Sequence, residues 1–180
     1  MISGPSGAGK GTLVTRVRER RSNLGLTVSA TTRAPRKGEV DGVNYFFLTR
    51  EEFDRRVANG EFVEWAEVHG NCYGTLVSEV QSKLASGSSL ILEIDVQGAL
   101  QVKERFPEAV LIFIKPPSLE VLRERLVGRG TETPETIELR MANAAHELAL
   151  ADRYDDVVVN DDLDRATDEL VRVLDMHDRI

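Results

Sequence analysis

The sequence predicts an α/β fold in which a five-stranded parallel sheet is flanked by helices. Short apolar runs bounded by turn residues recur along the chain, and amphipathic helical patterns separate most of them. Alternation of strand and helix favours a doubly wound sheet with right-handed crossovers. The predicted strands are Met1–Ser3, Leu24–Ser29, Ser89–Ile94, Val110–Lys115 and Asp156–Asn160.

Capping residues mark where the predicted helices begin. Side-chain oxygens of Ser, Thr and Asp accept hydrogen bonds from the first-turn N–H groups of a helix, and glycine often ends one. One helix carries Leu76, Val77, Val80 and Leu84 on one face and is expected to end at Gly87. The predicted caps are Thr49 in a capping box with Glu52, Thr75, Ser118, Thr133 before Pro134, and Asp161 or Asp162. The helix after Thr133 is expected to reach about Arg153.

Two segments interrupt the alternation and are predicted as parts of one domain spanning 1–180. The stretch 30–74 joins an Arg/Gly-rich loop, a strand-like Val43–Leu48, a short helix and a strand-like Glu61–Val68, which indicates an inserted lobe. A Gly-Arg-Gly-Thr-Glu-Thr run at Gly128–Thr133 indicates a hinged lid. We therefore predict a core of about 1–29, 75–122 and 147–180, a lobe of about 30–74 and a lid of about 123–146.

Composition narrows the class of protein. The net charge of −7 argues against a general nucleic-acid binder, which needs a basic face. No apolar run approaches the ~20 residues of a membrane-spanning helix, so we expect a soluble protein with no membrane partner. The single cysteine, Cys72, cannot form an internal disulfide and favours a reducing, cytoplasmic setting.

The clearest local motif is a glycine-rich loop between the first strand and the first helix. It matches the G-x-x-x-x-G-K core of a phosphate-binding loop, whose glycines turn backbone N–H groups inward at the positive end of a helix. Lys10 adds a charge for the β- and γ-phosphates. About three residues precede the loop, so the first strand is expected to be short or to continue upstream of Met1. The candidate phosphate-binding residues are Gly4, Pro5, Ser6, Gly7, Ala8, Gly9, Lys10, Gly11 and Thr12.

Candidate magnesium ligands come from the loop and from a second strand end. A hydroxyl usually follows the loop lysine, but Gly11 takes that place and the hydroxyl comes one residue later, at Thr12. Glu93 and Asp95 end an apolar strand, where the crevice of a parallel sheet collects functional residues. Thr12 and Glu93 are therefore candidate Mg²⁺ ligands, directly or through water. Asp95 could equally cap the helix that follows it.

Several motifs in order along nearly the whole chain resemble the guanylate kinase family. Spaced motifs are far more specific than one glycine-rich loop. They are Ser29–Phe46 (SATTRAPRKGEVDGVNYF), Glu61–Ala66, Gly70–Thr75, Glu93–Gly98, Gly128–Thr133 and Val159–Asp161. The resemblance implies a P-loop kinase with a GMP-binding lobe and a helical lid. Such an enzyme reversibly transfers a phosphoryl group from ATP to GMP, giving ADP and GDP for GTP and dGTP supply and for GMP recycling.

The resemblance also implies how GMP is held. Two guanidinium forks and two phenols suit a phosphate dianion, and a carboxylate can accept hydrogen bonds from the N1–H and N2 groups of guanine. Adenine would leave that buried charge unpaired, which is strongly penalised. The implied phosphate residues are Arg33, Arg36, Tyr45 and Tyr73. The implied base residues are Glu64 at N1 and N2, Ser29 and Thr75 near O6, and Asp95 beside the base.

For the transfer step, the resemblance implies that cations neutralise the moving group. The nucleophile is an oxygen of the GMP phosphate, whose second pKa lies near ~6, so no strong general base is needed. The implied catalytic residues are Lys10, Arg36, Arg129 and Arg140, with Arg125 and Asn160 as further ATP contacts. ATP and GMP are the expected partners, with dGMP expected beside GMP, and Mg²⁺ is the expected cofactor. The oligomeric state stays open.

Two alternatives stay open at this point. A non-catalytic guanylate-kinase-like binding module keeps the fold without the activity, although the presence of Gly9, Lys10 and Thr12 argues against it. The second alternative is a different nucleotide kinase, since the run Gly-Lys-Gly-Thr also occurs in adenylate-kinase-like loops. The runs Arg36-Lys37-Gly38-Glu39 and Glu64-Trp65 favour GMP over AMP as the acceptor.

Overall fold

The computed structural model describes residues 1–68, 70–85, 87, 89–128, 130 and 133–178. Its strands are β1 (Ile2–Ser3), β2 (Leu24–Leu26), β3 (Ala30–Thr31), β4 (Phe46–Phe47), β5 (Phe62–Val68), β6 (Asn71–Leu76), β7 (Ser89–Ile91), β8 (Ile112–Lys115) and β9 (Asp156–Val159). Its helices are α1 (Lys10–Arg20), α2 (Arg50–Ala58), α3 (Val77–Leu84), α4 (Val96–Arg105), α5 (Leu119–Gly128), α6 (Pro134–Leu148) and α7 (Leu163–His177).

The chain folds into two compact units. Unit 1 consists of Met1–Ser22 and Glu108–Ile180, and unit 2 consists of Asn23–Pro107. The sequence-based division into core, lobe and lid follows the pattern of strands and helices and has other boundaries than these two units, and it stays a prediction.

Unit 1 is built on a parallel sheet in the order β1-β8-β9. The central strand β8 is apolar and fully buried from Ile112 to Ile114, as a strand covered on both faces should be. Helix α1 packs with α7, and α5 packs with α6. Leu122 and Leu126 of α5 meet Ala144 of α6 in a small core. This sheet carries the glycine-rich loop at the end of β1.

Unit 2 contains a parallel pair, β2 with β7, and a four-stranded mixed sheet in the order β4-β3-β6-β5. Strand β3 is parallel to β4 and antiparallel to β6, and β5 is antiparallel to β6. Phe53 of α2 stacks on Phe62 with 4.5 Å between ring centroids. These rings, with Ala30, Cys72 and Leu76, form the core of this sheet and helix.

The predicted α/β class with parallel strands is confirmed. All five predicted strands are present, and hydrogen bonding places three in the sheet of unit 1 and two in the pair of unit 2. Strands β3 and β6 were not predicted as separate strands. Strand β6 (Asn-Cys-Tyr-Gly-Thr-Leu) contains Asn and Gly, which are depleted in strands, and its ladder partners on both sides, β3 and β5, hold it extended.

Most of the predicted helix caps form. Thr49, Thr133 and Asp162 accept hydrogen bonds from the backbone N–H groups of Glu52, Thr136 and Arg165, respectively. Ser118 Oγ accepts one from the N–H of Val121. Helix α6 ends at Leu148 rather than near Arg153, and a short 3-10 turn follows.

The predicted cap at Thr75 is wrong. Thr75 lies in β6, and α3 begins at Val77 with Leu76 in the cap position and no side-chain cap. The physical reason is that pairing with β5 keeps the chain extended through Thr75 and Leu76, so the helix begins later than predicted. The Thr75 side chain donates to the carboxylate of Glu64 at 2.7 Å.

None of the described helices has both the length and the apolar character that a bilayer-spanning segment requires.

Phe53→Ala tests the core of unit 2. Phe53 is fully buried, and its ring also contacts that of Trp65, 6.3 Å away between centroids. Removing a buried phenyl group costs about 3–5 kcal/mol of unfolding free energy. Urea unfolding followed by the fluorescence of Trp65, the only tryptophan, measures the loss. Val43→Ala, at a side chain 66% exposed, is the control. Equal midpoints for the two variants would contradict this packing.

Candidate nucleotide-binding site

The glycine-rich loop in unit 1 can be built only with glycine at its tightest points. Gly4 and Gly9 have φ values of +144° and +90°, which L side chains rarely adopt. A Cβ atom at Gly4 would lie 2.2 Å from the carbonyl oxygen of Ile114, and one at Gly9 would lie 2.3 Å from Asn160 Nδ2. Gly9 is also the N-cap of α1 and offers no side chain to the first turn. The N–H groups of that turn therefore remain available to an anion.

Two cationic side chains lie on this loop. Lys10 Nζ donates to the carbonyl oxygens of Gly4 and Pro5, the second at 3.2 Å. Arg140 Nη1, from α6, donates to Ser6 Oγ at 2.6 Å. Both groups are half-buried, so their charges are less screened by water than those of surface residues. The loop thus combines backbone donors with two positive charges.

A pocket of about 470 Å³ opens beside the loop in unit 1. Asn160 Nδ2 donates to the carbonyl oxygen of Ala8 at 2.8 Å, and Arg125 Nη2 donates to the carbonyl oxygen of Asn160 at 2.8 Å. The predicted ATP-binding residues Thr12, Arg125 and Asn160 are therefore brought to one pocket. Arg129, also predicted here, lies outside the described residues. The lining is Gly7, Gly9, Thr12, Arg125, Gly128, Asn160, Asp161 and Leu163.

Unit 2 brings three of the four predicted phosphate ligands into one cluster. The guanidinium carbon of Arg33 lies 5.3 Å from the ring centroid of Tyr45, whose ring is 6.2 Å from that of Tyr73. Burial raises the pKa of the Tyr45 phenol, and the nearby Tyr73 and Glu93 raise it further. Tyr45 is therefore a neutral hydrogen-bond donor. Arg36, the fourth, is exposed, so its side chain is open to a ligand.

Glu39 is a member of this cluster that the sequence analysis missed. Both of its carboxylate oxygens accept from Arg33 Nη2, at 2.9 and 3.0 Å, and one accepts from the backbone N–H of Arg36 at 2.7 Å. The hydrogen bond from Arg33 holds the pKa of Glu39 below its usual range. The available signal was an acidic residue three positions after Arg36, inside the motif. Glu39 fixes the guanidinium over the rings of Tyr45 and Phe47.

The other cluster in unit 2 centres on Glu64 of β5. This carboxylate is 3% exposed, and the Thr75 hydroxyl donates to its Oε1 at 2.7 Å. Burial raises the pKa of Glu64 to about 7, Asp95 adds to the rise, and the Thr75 hydrogen bond opposes it. Asp95 caps α4, with Oδ1 accepting from the N–H groups of Gln97 and Gly98. Ser29 is half-buried and precedes β3.

The candidate magnesium ligands are an exposed hydroxyl, Thr12, and a half-buried carboxylate, Glu93. Within the described ranges, no group of three or more His, Cys, Asp or Glu side chains could hold a metal ion. Magnesium in kinases takes most of its ligands from phosphates and water and only one or two from protein oxygens. The donors present therefore fit Mg²⁺ carried by a nucleotide rather than a protein-only metal site.

A glycine loop at a helix N-terminus, with a lysine in the first turn and a parallel sheet behind it, defines the class of P-loop nucleotide-binding proteins. The family model described as guanylate kinase matches residues 1–177. The chain belongs to the guanylate kinase family.

Individual relatives agree with the family match. Guanylate kinase of Halalkalibacterium halodurans is 53% identical over 97% of this chain and 85% of its own length. Guanylate kinase of Gloeobacter violaceus is 56% identical over the same shares of the two chains. The crystal structure of guanylate kinase from Anaplasma phagocytophilum superposes with a TM-score of 0.80 at 38% identity, covering 97% of this chain and 82% of that one.

The burial of Glu64 predicts a pH-dependent stability difference. Its folded pKa of about 7 lies above the ordinary 4.5, so its contribution to stability is complete below pH 4.5 and is lost as pH rises through 7. The loss is about 3 kcal/mol at most. Glu64→Gln lacks this titration, so it should gain stability relative to the parent between pH 5 and pH 8. Urea unfolding at both pH values measures the gain.

Glu104→Gln, which removes an exposed carboxylate of α4, is the matched control for loss of one surface charge. The same stability difference between Glu64→Gln and the parent at pH 5 and pH 8 would show that the Glu64 carboxylate is solvated.

Proposed function

We propose that this chain transfers the γ-phosphoryl group of ATP to GMP, reversibly, to give ADP and GDP, and that dGMP is accepted beside GMP. Membership of the guanylate kinase family supports this activity. The observation that carries the choice of acceptor is Glu64, a carboxylate 3% exposed with one hydroxyl donor on it. A buried carboxylate selects a ligand edge that offers N–H donors, as guanine does at N1 and N2.

The ATP side of the proposal uses unit 1. The triphosphate would lie on the N–H groups of the first turn of α1, with Lys10 turning from the loop carbonyls to the β- and γ-phosphates. Residues Gly4 to Thr12 form this cradle, and the adenosine group would occupy the pocket of about 470 Å³ beside Arg125 and Asn160. Asn160 contributes a carbonyl and an amide that already bond to other protein groups, so selectivity for the adenine base is expected to be weak.

The GMP side of the proposal uses unit 2. The phosphate would be held by Arg33, Arg36, Tyr45 and Tyr73, with Glu39 keeping the Arg33 fork oriented. The base would be held by Glu64 at N1 and N2, with the hydroxyls of Ser29 and Thr75 near O6 and Asp95 beside it. Most of these residues lie within the predicted 30–74 lobe, which we propose as the GMP-binding part, with the core and the 123–146 lid as predicted.

The transfer step needs charge neutralisation more than proton transfer. The attacking oxygen belongs to a phosphate that is largely dianionic at neutral pH. Repulsion between two anions is the main barrier, so positioning and positive charge supply the catalysis. The proposed catalytic cations are Lys10, Arg36, Arg129 and Arg140. Mg²⁺, when bound with ATP, neutralises phosphate oxygens, and the Thr12 hydroxyl and Glu93 carboxylate are its candidate protein donors.

The setting proposed for this activity is the cytoplasm, without nucleic acid or membrane as a partner. The net charge of −7 and the single buried thiol, Cys72, support it.

Lys10→Ala tests the enzyme assignment. Removing the charge on the β- and γ-phosphates should lower kcat by at least about 100-fold, because the lost interaction strengthens in the transition state. A coupled ADP-release assay with GMP, MgCl₂ and ATP measures the rate. Lys83→Ala, at a half-buried lysine of α3 that pairs with Glu79, is the control. A Lys10→Ala enzyme as active as its parent would contradict the mechanism, and a parent without GMP-dependent turnover would favour the non-catalytic binding module.

Glu64→Gln tests the choice of acceptor. The amide replaces an acceptor oxygen with a donor facing the guanine N–H groups, so the KM for GMP should rise about 10- to 100-fold, the usual worth of a charged hydrogen bond. Turnover with AMP should change little. The assay compares GMP, dGMP, AMP, CMP and UMP. The proposed choice of acceptor would be contradicted if the parent preferred AMP, or if Glu64→Gln kept the parental KM for GMP.

A further inference from the structure

Helix α4 holds the strand that carries Glu64. Strand β5 lies at the edge of its sheet, and α4 packs against it. Arg105 Nη1 donates to the carbonyl oxygen of Val63 at 2.7 Å, and Gln101 Nε2 donates to that of Trp65 at 3.2 Å. These carbonyls belong to the two residues that flank Glu64. The backbone on each side of the carboxylate is thus tied to one helix.

A bulge in β5 decides which way Glu64 points. The pairing with β6 shifts between Phe62, opposite Leu76, and Glu64, opposite Thr75, so Val63 is an extra residue. Phe62 and Trp65 both contact the ring of Phe53, although residues three apart point to opposite faces of a regular strand. The bulge puts both rings on the side of α2 and turns Glu64 to the other side. Arg105 bonds to the carbonyl of the bulged residue itself.

Gly98 leaves the space that the carboxylate occupies. A Cβ atom at this position would lie 2.2 Å from Glu64 Oε2 and 3.0 Å from its Cδ. Gly98 lies inside α4, where glycine lowers helix stability relative to alanine. No left-handed φ requires glycine there. The close approach of Glu64 is therefore the physical reason for a residue that otherwise weakens the helix.

We propose that α4 sets the position of the Glu64 carboxylate, with Gly98 and Arg105 as positioning residues that determine selectivity for guanine. This rests on the proposed function and on Glu64 as the residue that recognises the base. Thr75 holds Oε1, Gly98 gives room to Oε2, and Arg105 fixes the bulge from which the side chain leaves the strand. Both oxygens must keep their places to meet two N–H groups of guanine at once.

Gly98→Ala is the sharpest test. The atom that a new methyl group meets is the far end of a flexible side chain, so the carboxylate moves and the backbone does not. The KM for GMP should rise about 10-fold or more, since hydrogen bonds to charged groups weaken steeply with misplacement. The preference for GMP over IMP, which lacks the N2 amino group, should fall. The KM for ATP and the kcat at saturating GMP should stay near their parental values. The melting temperature should stay near its parental value or rise.

Arg105 gives an independent test that does not depend on Gly98. Arg105→Met keeps the apolar stem and removes the donor, so the KM for GMP should rise several-fold, as for one lost hydrogen bond. Arg105→Lys restores a donor and should restore much of the affinity. Glu104→Ala, at the exposed neighbouring position of α4, is the control and should match the parent.

A double-mutant cycle shows whether these residues act through Glu64. Calorimetric GMP binding without ATP is compared for Gly98→Ala made in the parent and in a Glu64→Ala background. We expect weaker binding in the first case and no further loss in the second. The inference would be overturned if Gly98→Ala weakened GMP binding equally in both backgrounds. It would also be overturned if Gly98→Ala and Arg105→Met both kept the parental GMP affinity and the parental preference for GMP over IMP. A parent that does not turn over GMP would instead overturn the proposed function.

Discussion

Burial of the Glu64 carboxylate is the constraint that organises unit 2. Taking an ionised carboxylate out of water costs several kcal/mol unless other groups repay it, and here the pKa near 7 expresses that cost. One hydroxyl, from Thr75, donates to the group. The bulge at Val63, the cap at Asp95 and the glycine at position 98 all lie around the same side chain. Unit 2 therefore loses stability at neutral pH, and the proposed base recognition depends on a ligand whose N–H groups match this carboxylate.

The loop of unit 1 is shaped by close backbone contacts and carries local positive charge. The Ile114 carbonyl and the Asn160 amide stand where side chains at Gly4 and Gly9 would otherwise lie. The loop can therefore approach its neighbours closely, and the first turn of α1 is left to bind an anion. Lys10 and Arg140 concentrate positive charge on it, in a chain whose net charge is −7. Local placement of charge matters more for a small anionic ligand than the overall balance.

Local signals in the sequence predicted much of the fold and the loop. Caps at Thr49, Thr133 and Asp162 depend on residues three positions apart, and the five apolar strands depend on short runs, so both could be found without tertiary information. The prediction at Thr75 failed because pairing with β5 keeps the chain extended through Leu76, and the Thr75 hydroxyl donates to Glu64, eleven positions earlier. Strand β6 was missed for a similar reason, since its partners rather than its composition keep it extended.

The candidate site residues also differ in whether the sequence or the structure reveals their roles. Arg33, Tyr45, Tyr73 and Glu64 stand in motifs that carry a resemblance and imply their roles. Glu39 and Gly98 stand in the same motifs, but their roles, like that of Arg105, show only through contacts in the structure. Arg105 reaches a backbone carbonyl 42 positions away, and no pattern of side chains in the sequence marks such a bond. Positioning residues are therefore found from coordinates, while residues that would touch the ligand can be found from sequence motifs.

The most direct test of the account is a ¹³C NMR titration of the glutamate side-chain carboxyls, with Glu64 assigned by comparison with Glu64→Gln. In the free protein the Glu64 resonance should titrate near pH 7, because burial disfavours the charged form. With saturating GMP, donors from guanine should stabilise the anion and move its titration well below that value, while AMP at the same concentration should leave it in place. A Glu64 that titrates near the ordinary 4.5 in the free protein, or that responds equally to GMP and AMP, would contradict the central claim.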